Sequence, residues 1–129
     1  MALRVVLAIF YAGAGVLHLL RPDPFMSIMP AWVPSAEAVV FWTGVAELLG
    51  AAALLQPFNA ALRKAGGIGL ALYAICVFPA NIHHFAMDMA RTDGGLGLGY
   101  HVPRMFAQPI LVWLALWTGD VTDWPLRRR

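Results

Sequence analysis

Seven side chains in this sequence combine reactive or hydrogen-bonding chemistry with an apolar setting: His18, Glu47, Asn81, His83, His84, Arg104 and Gln108. Each lies inside or at the edge of a hydrophobic run. There an ionisable group costs roughly 2.5–3.5 kcal/mol to insert unless it is paired. A buried carboxylate beside an imidazole can take up and pass on protons, and an arginine or an amide can bond a carbonyl oxygen. Together they suit a hydrogen-bonding ligand held, and protonated or deprotonated, inside a membrane. His18, Glu47, His83, His84 and His101 are also of the donor types that hold Zn, Cu or Fe. No spacing among them is diagnostic of a metal, and adjacent histidines on a helix point different ways, so a His/Glu metal site is the less favoured alternative to a bound organic ligand.

The elements that position these groups read as four apolar segments: Leu3–Leu20, Ala36–Leu55, Ala65–Met87 and Pro103–Thr118. Each is near the ~20 residues needed to cross ~30 Å of hydrocarbon, the last being the shortest. Backbone polar groups in lipid must be satisfied within the segment, so the expected form is helical. Composition agrees. The chain is 60% hydrophobic and 12% charged, with a mean hydropathy of +0.70. Soluble domains run at about 45–50% apolar and about 25% charged. The expected class is all-α, a single integral membrane four-helix domain over residues 1–129.

The connections carry the punctuation. Pro22 and Pro24 stop the first segment. PFMSIMPAWVP is apolar but broken by Pro30 and Pro34, and it predicts a short interfacial helix or cap with Trp32 at headgroup depth. QPFNAALRK is a tight basic turn, and RTDGGLGLGYH has the glycine content of a mobile lid. The N-terminus has one early charge and an apolar stretch, as a signal peptide does. Similar apolar segments follow it, so it reads as a retained helix. The net charge of +2 and the small number of basic residues exclude a nucleic-acid footprint. The single cysteine, Cys76, excludes an intramolecular disulfide.

Arg4, Arg63, Lys64, Arg127, Arg128 and Arg129 fall on the side of the termini and the middle turn. Arg21 and Arg91 fall on the other, with Arg104 at its margin. The asymmetry predicts a multi-pass protein of a bacterial-type inner membrane with both termini cytoplasmic. On that topology the seven polar residues come from all four helices and converge in the outer half. Pro79 should kink the third helix and free the Ile75 carbonyl, which Asn81 could satisfy. Gly44 and Gly50 flank Glu47 and should let neighbouring helices close in. Glu47 with Arg104 reads equally as a structural ion pair or as a functional carboxylate with its counter-ion.

GVLHLLRPDPF, GVAELLG, VFPANI and an Arg-x-x-x-Gln opening the last helix together resemble the DoxX family of small four-helix membrane proteins. The likeness covers nearly the whole chain and places that family's recurring polar positions on His18, Glu47, Asn81, Arg104 and Gln108. His84 stands where the family usually has an apolar residue, and RMFAQP replaces its usual Leu-Pro-Leu-Gln-like run. The resemblance implies a quinone- or lipid-like ligand in a redox-linked membrane process, with a redox partner protein or a second copy of the chain beside it. It equally accommodates a non-catalytic assembly factor or accessory subunit, because DoxX-like proteins include both. Partners expected on either reading are membrane lipids and a hydrophobic small molecule, and no nucleic acid.

Overall fold

The computed structural model of the protein describes residues 1–125. Arg127, Arg128 and Arg129 of the basic cluster lie outside the described residues. Within them the fold is all-helical. Helix α1 is Ala2–Leu20, α2 Asp23–Ser27, α3 Ala36–Leu55, α4 Ala60–Ala90 and α5 Leu98–Thr118. Three of these, α1, α3 and α4, are long and apolar enough to cross a membrane. Helix α5 is as long, but Tyr100, His101, Pro103, Arg104, Gln108 and Pro109 make it less apolar.

Local chemistry sets the boundaries. Arg21, ahead of Pro22, leaves the helical region at φ −138°, ψ 67° and ends α1. Gln56, ahead of Pro57, is extended and ends α3. Its side chain then receives the N–H groups of Phe58 and Asn59, and Asn59 caps α4 by accepting from the Leu62 N–H at 3.0 Å. Helix α4 is therefore longer at both ends than the expected 65–87. At 1.5 Å per residue its 31 residues reach roughly 46 Å, beyond the thickness of a hydrocarbon layer.

Successive long helices pack on one another, α1 on α3, α3 on α4 and α4 on α5, with α2 lying against α3. Two glycine contacts set the closest approaches. A Cβ on Gly15 would fall 2.8 Å from the Gly44 carbonyl oxygen, and one on Gly44 would fall 2.9 Å from the His18 Cβ. At the other end a Cβ on Gly67 would lie 2.7 Å from the Ala115 carbonyl oxygen. Leu7, Ala8, Tyr11, Leu54, Leu70 and Ala115 fill the space between the helices. Outward faces carry Val6, Ile9, Trp42, Leu49, Leu72 and Phe106, all exposed. Large apolar side chains turned outward along the long helices suit a lipid surround.

Arg4 and Arg63 both reach Asp120 Oδ2 at 2.8 Å, and Arg4 Nε also donates to the Thr118 carbonyl. The start of α1, the start of α4 and the end of α5 therefore share one end of the molecule. The glycine-rich stretch is tied down. Its last residues form the first turn of α5. Arg91 grips Asp93 through two 2.8 Å bonds, and the Gly95 N–H reaches the same carboxylate. The Arg91 guanidinium, aided by that N–H, holds the Asp93 carboxyl well below the usual carboxylate range.

Candidate functional site

The four long helices enclose a cavity of about 500 Å³, lined mainly by apolar side chains and closed on one side by α2 and the segment after it. His18, Glu47, Asn81, Arg104 and Gln108 line it, one or more from each long helix. His83 and His84 do not. The stretch 94–99, expected over the mouth, is not part of the lining. Phe25, Ile28 and Trp32 from the cap are.

Glu47 is 2% exposed and sits at the α1–α3 contact that Gly15 and Gly44 make possible. Its partners correct the expectation of an ion pair with Arg104. The Tyr73 hydroxyl donates to the carboxylate, and Glu47 Oε2 lies 2.9 Å from His18 Nδ1. The physical reason is proximity: the glycine contact brings His18 to within one turn of the carboxylate, whereas Arg104 projects from α5. His18 Nδ1 also lies 2.8 Å from the Ala14 carbonyl, and a single ring proton serves that oxygen. Glu47 Oε2 is left in electrostatic contact with the ring but without a hydrogen bond among the described residues. The His18 ring is further fixed by stacking on Phe25 at 3.7 Å between centroids.

Two more buried polar groups in the lining lack partners among the described residues. The Tyr11 hydroxyl, on a residue 2% exposed, has no hydrogen bond. The Asn81 amide, on a residue 6% exposed, makes none either. The expected bond from Asn81 to the Ile75 carbonyl is not made; one residue earlier, the Ala74 carbonyl accepts from Gln108 Nε2 at 2.8 Å. Gln108 comes from the facing helix, and Asn81 remains aimed at the cavity.

His83 and His84 buttress the cavity from outside. His83 Nδ1 donates to the Ile28 carbonyl at 2.9 Å, which pins the cap to α4. His84 Nδ1 accepts from Arg104 Nη1 at 3.0 Å, and the Arg104 guanidinium lies over the Tyr100 ring at 5.4 Å. On its far side His84 faces Asp88, which also binds His101. His101 was expected in a loop. It is in the first turn of α5, fully buried, and stacked on Phe85. Sequence reasoning missed three contributors: Tyr11 and Tyr73 as hydroxyl groups facing the carboxylate, and Asp88 as the anchor of a histidine cluster. Spacing offered a signal for the last, since Asp88 lies four residues after His84.

Residues 7–119 match the model of a family described as a domain of unknown function, DUF8561, and the chain belongs to that family. Neither a curated protein nor a solved structure matches it.

Proposed function

Since that family brings no activity with it, we propose from the site itself that this protein binds a quinone- or lipid-like molecule within a membrane, as part of a redox-linked process. The observation that carries the reading is one cavity whose wall includes two buried groups without a hydrogen bond among the described residues, Tyr11 Oη and Glu47 Oε2, and the Asn81 side chain, which makes none either. An unsatisfied buried polar group costs about 1–3 kcal/mol. Two such groups beside a third hydrogen-bonding side chain are offset most simply by a ligand that bonds them. The apolar remainder of the lining fits an aliphatic or prenyl body, and ligand sites generally pair a greasy wall with a few polar groups.

The reading includes α5 as a fourth span, despite its two prolines and Arg104, with both termini cytoplasmic and the cavity in the outer half of an inner membrane. Support comes from Arg4 and Arg63, clustered at the end shared by the N-terminus and the α3–α4 turn. The resemblance to DoxX proteins in the residues around His18, Glu47, Asn81 and Arg104 supports the same ligand class.

Residue roles follow from the donors available. The Tyr11 hydroxyl and the Asn81 amide can donate to a carbonyl oxygen. Glu47, held by Tyr73 and in contact with His18, can accept or return a proton there. Arg104 adds positive charge on the α5 side of the cavity. A quinone so placed would supply two-electron chemistry, with the electrons exchanged with a redox partner protein.

Native mass spectrometry on gently purified protein tests the reading. Wild type should carry an isoprenoid quinone or a lipid at about one molecule per chain, and Asn81→Leu should lose it while remaining helical. Wild type that carries nothing and fails to bind an added short-chain quinone would refute the proposal. A polypeptide client retained in its place would favour an assembly factor instead.

A further inference from the structure

Outside the cavity lies a second cluster with a different chemistry. His84 and Asp88 are one turn apart near the end of α4, and His101 is in the first turn of α5. One ligand-type atom from each falls within 4.8 Å of the others. His101 Nε2 is 2.9 Å and His84 Nε2 is 3.5 Å from the same oxygen, Asp88 Oδ2. Ligands of a tetrahedral Zn(II), at bond lengths of about 2.1 Å, stand about 3.4 Å from one another. The two measured separations bracket that value. The third pair lies within 4.8 Å, and His84 is part exposed, at 17% of its side chain.

We propose that His84, Asp88 and His101 form a site for a divalent first-row transition ion, of the zinc or ferrous class. Two imidazoles and one carboxylate are borderline N and O donors, which suits those ions and disfavours Mg or Ca. The surroundings are built to hold the donors. The Leu96 N–H bonds Asp88 Oδ2 at 2.9 Å, Phe85 stacks flat on His101, and Tyr100 packs edge-on against both imidazoles. The loop closes over the carboxylate only because residue 95 is glycine: a Cβ there would fall on the Asp88 carboxylate. His101 Nε2 donates its proton to Asp88 Oδ2, and His101 Nδ1 is buried with no hydrogen-bond partner among the described residues. An ion bridging Nε2 and the carboxylate takes the place of that proton, which is then lost to solvent or moves to Nδ1.

Arg104 makes the site conditional. A guanidinium only donates, so His84 Nδ1 accepts from it and the ring proton sits on Nε2, facing Asp88. An ion on Nε2 sends that proton to Nδ1, where it would oppose the Arg104 N–H. Arg104 must then leave His84, and the space it already lines is the cavity. Ion binding at this cluster and the position of a cationic side chain in the cavity are thereby linked. The proposal does not depend on the identity of any cavity ligand.

The test is titration of Zn(II) into chelator-stripped protein that carries a histidine-free affinity tag, followed by calorimetry and elemental analysis. Wild type should bind about one ion per chain. His84→Ala, Asp88→Asn and His101→Gln should each weaken binding at least tenfold, as loss of a ligand or its supporting shell does. His83→Gln, one residue away and bonded to the cap, should stay within about twofold. Arg104→Ala should bind more tightly than wild type, an effect that a merely structural cluster would not produce. Circular dichroism checks that each variant is folded. Absence of stoichiometric binding by wild type overturns the proposal, and so does binding that survives both Asp88→Asn and His101→Gln.

Discussion

Replacing Asn81 by leucine separates a residue kept for its ligand from one kept for the fold. The two side chains share the same heavy-atom branching, and the extra volume of the leucine methyl groups can be taken up by the adjoining cavity. Asn81 is 6% exposed and has no hydrogen bond to another described residue. Its amide lines a mostly apolar cavity without a protein partner, and a polar group left short of hydrogen bonds there costs about 1–3 kcal/mol. Asn81→Leu removes that cost and adds apolar contact, so the ligand-free variant should be more stable than ligand-free wild type by about 1–2 kcal/mol. For a chain of this size that corresponds to roughly 3–8 °C in Tm. Thermal unfolding in detergent, followed by circular dichroism after delipidation, reads the difference. With an added short-chain quinone the order should reverse: wild type gains stability with ligand concentration, as any ligand binding only the folded state requires, and the variant does not. If Asn81→Leu is instead destabilised by about 1 kcal/mol or more without ligand, Asn81 serves the fold and the reasoning fails.

Gly44→Leu drives a side chain into His18 and the Gly15 carbonyl and should cost about 3 kcal/mol or more, separating α1 from α3 and lowering Tm in the same assay. Arg104→Ala removes a hydrogen bond to His84 and a contact with the Tyr100 ring, not a buried ion pair with Glu47, so its cost should be about 1–2 kcal/mol rather than the 3–5 of a broken buried pair. Gly95→Ala combines a left-handed backbone, φ 55°, with a Cβ on the Asp88 carboxylate, and limited proteolysis should cut near residues 91–97 faster than in wild type. Asp120→Asn weakens the hold on both Arg4 and Arg63. Its effect should be about 1 kcal/mol and should shrink as salt is raised.

Depth was legible in the sequence and direction was not. Counting residues along apolar segments places His18, Glu47, Asn81, Arg104 and Gln108 at similar heights, and the same five line one cavity. Azimuth depends on how each helix turns about its axis after a proline and on which neighbour approaches closest. His83 and His84 follow Pro79 by less than two turns, and both end outside the lining. Glu47 meets His18 because Gly15 and Gly44 set the α1–α3 approach. The glycines were visible, but the identity of the helix that each would touch was not. Asp88 was legible only as a charge at a helix end. Its partners come from a stretch whose glycines suggested mobility, and those glycines instead give the backbone the left-handed turns and clearance to wrap a carboxylate.

The cap over the cavity is fastened by two imidazoles on opposite sides, through the stack of His18 on Phe25 and the bond from His83 to the Ile28 carbonyl. Releasing both costs about 1–3 kcal/mol on ordinary values for a ring pair and a hydrogen bond. A gap of that size leaves an uncapped form at roughly 0.6–16% of molecules at equilibrium. The helices need not separate for exchange, because neither fastening is an α1–α3 contact and the approach at Gly15 and Gly44 is untouched. Entry and exit would then be gated by the lifetime of a short amphipathic flap. Residence time could be tuned from the rim, through Phe25 or His83, without altering a single group that faces the occupant.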